Sequence, residues 1–338
     1  MGWRAARKAR KLREPVPQPA PRPWGSPPPP PSGGSRRGRA LSLVITLVVI
    51  AGLAGGAVAV VKLGGHAKDP RSDNAVVTNG ATPSSSPSPT PFTPPSPTLA
   101  APYLGTPAQS YAGGSAGIVI PPAHAAGSFS AAEVAAAYRK TKKMLVAANL
   151  NGPTLNGGAP DAFANLLVPQ ERGWFVAHLD KTGVDAKGYA KSSRGWVVSF
   201  APGTTRLVGG VIKVHGSVAA SAIKSDDVPV LRIHADYLFV FAVEAPGQPS
   251  TLMRIVARDD VNVDFAPWSG AGGPLEPYWN LLGGGAAGGR CDVNDGFVHP
   301  QFPTDPPDKV KPAGAPVNPY DMATPPSQKG GCQATTGT

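Results

Sequence analysis

The residues best placed to do chemistry lie in the stretch 230–244, VLRIHADYLFVFAVE. In an extended strand, side chains two apart share a face. Arg232, His234 and Asp236 therefore stand in a row. His215 falls in another strand candidate, 207–223 (LVGGVIKVHGSVAASAI). If the two strands are neighbours, His215, His234 and Asp236 form a polar cluster. A carboxylate there orients an imidazole for acid–base work or for holding a ligand. A solvent-facing polar patch is the plainer reading of the same residues.

Other candidates carry less. Asp226-Asp227 and Asp259-Asp260 are adjacent carboxylates, which point to opposite faces of a strand and suit turns better than paired acid–base roles. The run Asp292-Val293-Asn294-Asp295-Gly296 faintly resembles a calcium loop but lacks the glycine at position 6 and the closing glutamate at 12. The glycines at 283–285 open no evident helix, so they cradle no phosphate. GxSxG, HExxH, P-loop and dinucleotide fingerprints do not occur. No catalytic residue, metal or cofactor is assigned; His215, His234 and Asp236 stay as candidates.

The two cysteines, Cys291 and Cys332, bracket a stretch rich in proline. Such a stretch cannot fold by apolar burial alone. A disulfide closing that loop stabilises by about 4 kcal/mol on the chain-entropy model. Two lone cysteines at that separation make neither a redox CxxC nor a zinc framework.

These residues need elements to position them. Ser130 and Glu133 form a capping box, with Phe129 and Val134 at the staple positions. The helix beginning there lines Val134, Tyr138, Thr141, Leu145 and Ala148 along one stripe, with Met144 beside it. Arg139, Lys140, Lys142 and Lys143 face away. They read as a solvated face, or as a contact for phosphate or an acidic wall polymer. A second short helix is expected over 161–167, with Pro169 beyond its end. Strands are expected at 196–200 (WVVSF), 207–223, 230–244 and 252–265. In the third, Ile233, Ala235, Tyr237, Phe239, Phe241 and Val243 share one face. The opposite face begins polar and turns apolar at Leu238, Val240 and Ala242, so it becomes covered toward the strand's end. Short connections imply antiparallel hairpins. The fold class is α+β, helices packed on a curved antiparallel sheet. The segment PLEPYWNLL at 274–282 is expected to fold back onto it, because large exposed apolar patches are uncommon.

Charge and hydropathy set the surroundings. Residues 1–40 carry ten Lys or Arg against one acid, Glu14, whereas 128–338 carry nineteen against eighteen. The net charge of +11 is thus concentrated before residue 41. A nearly neutral folded part excludes a nucleic-acid footprint. Residues 41–61 are free of charge and span about 30 Å as a helix. The positive-inside rule places the N-terminus in the cytoplasm and the rest outside. Ser35-Arg36-Arg37 and Ala57-Val58-Ala59 also allow a twin-arginine export signal with cleavage. The length of the apolar run favours a retained signal-anchor, and either reading exports residues 62–338. Gly52 and Gly56 have the GxxxG spacing of a homodimerising helix. The domains expected are a basic Pro-rich cytoplasmic tail at 1–40, a transmembrane helix at 41–61 and a Pro/Ser/Thr stalk at 62–127. Next come an α+β domain at 128–265 and a Gly/Pro-rich, disulfide-closed extension at 266–338.

The element order over 129–265 resembles the cone-shaped fold of the nuclear-transport-factor-2-like superfamily. Domains of that kind occur on single-pass actinobacterial envelope proteins, including accessory proteins of lipid import. The basic Pro-rich tail, the single anchor, HADYLFVFAVEAPG and CDVNDGF with a late cysteine also make the chain similar to a group of actinobacterial single-pass membrane proteins. No activity attaches to that group, so the likeness carries no functional residues over. The expectation is a non-enzymatic, membrane-anchored extracytoplasmic binding or accessory domain, with an envelope protein, membrane protein or lipid as partner. The alternative is a small-ligand or enzymatic pocket on the cone-shaped fold.

Overall fold

Eighteen residues of alternating side chains make one strand the axis of the molecule. The structure is a computed structural model that describes residues 97–185, 190–225, 227–268, 272–326 and 332–336. Its axial strand is Val228–Ala245, here β4. Before it come Ala112–Gly113 (β1), Arg206–Leu207 (β2) and Lys213–Ser225 (β3). After it come Gln248–Ala266 (β5) and Glu276–Ala287 (β6). The sheet runs β1-β3-β4-β5-β6, antiparallel throughout, with β2 also on β4. The class is α+β with a curved antiparallel sheet and few helices.

Short turns set the register. Ser225 pairs with Val228, and just before Val228 Asp227 takes a positive φ of 65°. Ala245 pairs with Gln248 around Pro246-Gly247, where φ at Gly247 is 75°. Proline then glycine is the pairing a type II turn requires. The β4–β5 register passes Asp259-Asp260 without a break. The irregularity sits opposite, where Asp260 faces Gly283 and Val261 faces Leu281, so Leu282 is the extra residue of a bulge in β6.

The inner face of the sheet carries the main core. Ile233, Ala235, Tyr237, Phe239, Phe241 and Val243 of β4 are fully buried. They cluster with Val134, Tyr138, Met144 and Leu145 of the helix Ala131–Asn149 (α1). Both bonds of the capping box are present: the Ser130 N–H donates to Glu133 Oε2 at 2.7 Å, and Glu133 N–H donates to Ser130 Oγ at 3.3 Å. Further helices are Gly152–Leu155 (α2), Asp161–Ala164 (α3) and Pro169–His178 (α4).

Several expectations need correction. The second helix ends at Ala164 and does not reach 167. Pro169 opens α4, since proline at the first helical turn gives up an N–H that has no partner there. Residues 196–200 are not a sheet strand. A 3-10 turn, Ser193–Trp196, leads into backbone that caps helix ends: Val198 N–H donates to Ala148 O, and Phe200 N–H to Leu155 O. The stretch 207–223 is two strands, split where Gly209 and Gly210 take φ of 75° and 65°. Residues 97–127, expected within the stalk, pack on the sheet: Tyr103, Ala108 and Ile118 are buried. The physical reason is that both faces of β4 must be covered: Tyr103 and Ala108 lie on its outer face, while Ile118 joins the inner core. Leu238, Val240, Ala242 and Val256 form a second cluster there with Tyr103, Ala108 and Tyr320.

Segment 274–282 does fold back, as the start of β6, and Trp279 is buried. The sheet therefore continues beyond residue 265. The C-terminal strap then recrosses the outer face. It includes the short parallel pair Ala313–Val317 (β7) and Gln333–Thr335 (β8). It also places Pro326 so close to Gly283 that a Cβ at 283 would stand 2.7 Å from the ring. The glycine run thus makes room for the strap. Cys291 and Cys332 are joined, with Cα atoms 5.4 Å apart. No helix among the described residues is long and apolar enough to cross a membrane. The expected span at 41–61, the tail before it, and Gly52 and Gly56 lie outside the described residues.

Replacing both cysteines by serine should cost about 2–4 kcal/mol in chemical denaturation. Protease should then cut first within 303–336 while the β3–β6 region stays protected. Unchanged stability would mean that the strap is held by its other contacts alone.

Candidate functional site

The open half of the outer face holds the residues singled out by their chemistry. Register fixes the placement: Ala219 lies beside His234, Ser217 beside Asp236 and Leu238 beside His215. On the other side Asp264 lies beside Arg232, Asn262 beside His234 and Asp260 beside Asp236. His215, His234 and Asp236 therefore share one face. They do not meet one another.

Each takes a different partner. Arg232 grips Asp264 with two bonds of 2.7 Å. His234 Nε2 stands 2.7 Å from Asp260 Oδ1. Arg258 grips Asp236 with bonds of 2.8 and 2.7 Å. His215 lies against Tyr111, ring centroids 4.5 Å apart and nearly parallel. The result is a ladder of polar pairs between β4 and β5, each acid matched by a basic side chain. Paired groups on an open face have neither a shared cavity nor a spare proton acceptor aimed at a common point.

Arg258 does a second job. Its guanidinium donates to the carbonyls of Asp321 at 3.1 Å, Met322 at 3.2 Å and Thr324 at 2.7 Å. It therefore joins the ladder to the strap. Arginine suits this because its planar fork offers five donors.

The inner face holds a carboxylate that the strand pattern places there without announcing it. Asp259 shares parity with Ile255, Ala257 and Val261 and sits beside Tyr237. Asn149, at the last turn of α1, donates from Nδ2 to Asp259 Oδ2 at 2.6 Å. Asn149 Oδ1 has no partner. Burial pushes the Asp259 carboxyl up to about 6, against the Asn149 bond that favours the ionised form. A protonated Asp259 can donate to the unpartnered Asn149 Oδ1, so the neutral acid fits this site better than the anion.

Glu171 of α4 is also buried. Its Oε1 accepts from the Trp279 N–H at 2.9 Å, capping the free edge of β6. Burial holds its carboxyl well above the ordinary carboxylate range. A recess of about 320 Å³ lies beyond α4, lined by Trp174, His178, Lys181, Asp185, Ala190 and Lys191. Trp174 stacks on Trp196 at 5.2 Å and on His178 at 4.4 Å. His178 Nδ1 lies 2.8 Å from the Trp174 carbonyl, so it is the protonated nitrogen.

The loop resembling a calcium site does not gather its carboxylates. Asp292 is taken by Arg290 at 3.0 and 2.8 Å, which holds its carboxyl down at about 2. Asp295 is taken by His299 and by the Phe297 N–H. Among the described residues no group of three His, Cys, Asp or Glu is arranged to hold a metal ion. No protein-family model, curated protein or solved structure matches the chain.

Asp259 generates a pH prediction. Its folded value, about 6, lies above its ordinary 3.8. Its stabilising contribution is therefore complete below about 3.8 and is lost as pH rises through about 6. The loss is about 3 kcal/mol at most. Asp259→Asn supplies a neutral amide whose N–H can reach Asn149 Oδ1. It should raise the melting temperature at pH 7.5 and flatten the stability profile between pH 4 and pH 7. A lower melting temperature at pH 7.5 would show that the ionised acid is the one the fold requires.

Proposed function

We propose that this chain is a membrane-anchored extracytoplasmic binding or accessory domain of the cell envelope, acting without catalysis on an envelope protein or lipid. The observation that carries the reading is the filled interior of the sheet. Tyr237, Phe239 and Phe241 would line a ligand chamber in a cone-shaped fold, yet each is fully buried. Phe241 meets Phe200 edge-on at 5.6 Å, and the Tyr237 hydroxyl donates to the Val119 carbonyl at 3.1 Å. The polar residues lie on the opposite, open face and satisfy one another. Such a surface suits recognition by contact better than chemistry.

The wider reading draws on sequence. The charge-free run at 41–61 after a basic tail supports an anchor with the C-terminal part outside. A disulfide fits an oxidising compartment. A helix lying across a curved antiparallel sheet supports the likeness to the nuclear-transport-factor-2-like superfamily, and fold likeness by itself assigns no activity. A small-ligand reading draws on one observation, the recess beside Trp174 and His178. That recess lies outside the sheet's concave face and apart from His215, His234 and Asp236.

Surface protease on intact cells should digest 128–338 and spare 1–40. In crosslinked, detergent-solubilised membranes, a partner should be retained on deleting 1–40 and lost on deleting 128–338. Loss of every partner on deleting 1–40 alone would move the function to the cytoplasmic side.

A further inference from the structure

β3 has β4 beside it for its whole length; among the described residues the strand paired on its other side is β1, which reaches Val214 and Lys213, while Gly117 and Gly127 stand against Val214 and Ala222 without pairing. Ala112 pairs with Val214, and the Gly114 N–H donates to the Ile212 carbonyl at 2.7 Å. Even-numbered residues of this strand therefore turn their backbone groups away from β4. Alternation continues that direction through Gly216, Val218, Ala220, Ala222 and Lys224. Among the described residues, the outward N–H and C=O groups of these five have no hydrogen-bond partner.

An edge of this kind is a template for another strand, and proteins usually blunt it with charge, proline, a bulge or brevity. None of those devices is present here. Residues 216–223, GSVAASAI, contain no charge and no proline. The register with β4 runs without a shift from Lys213 to Ser225. The opposite edge of the sheet is treated differently, since Glu171 covers the Trp279 N–H on β6.

We propose that the free edge of β3 pairs with the same edge of a second copy, antiparallel about a twofold axis normal to the sheet. The two sheets then become one. Charge selects this occupant. A strongly charged partner strand would find no countercharge between 216 and 223. A parallel copy would bring the two Lys224 side chains together. The antiparallel copy, centred at 219–221, sets each Lys224 opposite residues 214–218 of its mate. From Gly216 to Ala222 no side chain is larger than valine, which suits close approach of two backbones. Up to about ten backbone hydrogen bonds would form, two for each outward residue.

The geometry dictates the test. Because even-numbered residues carry the new bonds, odd-numbered ones form non-hydrogen-bonded pairs across the axis, where Cα atoms come within about 4.5 Å. The native cysteines are bonded to each other, so an engineered thiol is the single free one. Ser217→Cys, Ala219→Cys, Ser221→Cys and Ile223→Cys are made one at a time in the full chain, purified in mild detergent and oxidised. Disulfide dimer should peak at 219 or 221, or at both, and fall several-fold at 217 and 223. Ala220→Pro removes one outward N–H without touching the β4 ladder and should cut the peak about tenfold. Ser221→Lys, a change at an exposed position, places like charges near the axis and should cut crosslinking at 219 comparably, so the test survives if the proline variant fails to fold. Equal crosslinking at all four positions, none at any, or a peak insensitive to Ser221→Lys would overturn the proposal.

Discussion

The structure depends on one constraint: β4 is apolar on one face for its whole length and on the other face for its second half. Backbone hydrogen bonding to β3 and β5 fixes the strand in the middle of the sheet, so neither face can turn away. Fully burying one large side chain of this kind is worth about 1.5–3 kcal/mol. The inner row from Ile233 to Val243 and the outer trio Leu238, Val240 and Ala242 must therefore both find cover. Helix α1 supplies the first. The second comes from two segments far apart in sequence, 103–111 and the disulfide-closed strap, which meet over the outer trio through Tyr103 and Tyr320. Tyr103 is tied further by its hydroxyl, which donates to the Val211 carbonyl at 2.5 Å.

That division of the outer face also decides where the polar groups sit. Cover stops near Arg258, which binds Asp236 on one side and three strap carbonyls on the other. Past that boundary the strands are open, and their side chains are charged. The ladder Arg232–Asp264, His234–Asp260 and Arg258–Asp236 arises from acids and basic side chains set across the β4–β5 pair. These pairs are half-buried, with His234 the one member standing largely in solvent, so lost hydration offsets much of their attraction. Their stronger effect is on register. A slip of one residue would carry Arg232 and Asp264 to the inner face, where no partner waits.

Much of this is legible in the sequence because period-two alternation survives in β4 and β5. The buried face, the polar-to-apolar change at Leu238 and the shared face of His234 and Asp236 all come from parity, and His215 joins them through the β3–β4 register. The capping box at Ser130 and Glu133 is local and equally readable. What parity does not convey is partnership. Whether His234 meets His215 or Asp260 depends on which strand leans closer, and that is a property of register between segments far apart. Asp259 is readable in part: its parity matches Ile255 and Val261, but adjacent acids suggest a turn, and only the Asn149 amide explains an acid on the apolar side. Residues 97–127 defeat a reading from composition for a related reason. They are rich in Gly, Pro and Ala and lack a period, so their burial is imposed by β4 and not by their own pattern. The same holds for 196–200, whose apolar run serves helix ends in place of a sheet.

The position of the disulfide is a consequence of this arrangement. Between Cys291 and Cys332 the chain offers few large apolar side chains, and among the described residues the buried ones are Phe302 and Tyr320. Two such residues return only a few kcal/mol, whereas ordering each residue's backbone costs about 1–2 kcal/mol. A strap of that composition would not stay on the sheet by burial alone. Yet the outer trio of β4 and Arg258 both use it. A covalent closure shifts part of the cost to the unfolded chain, which loses its freedom before folding begins. The strap can then be held by carbonyls, one tyrosine and a glycine-cleared crossing at Gly283. The sheet's outer cover is thus tied to the closure of one bond between Cys291 and Cys332.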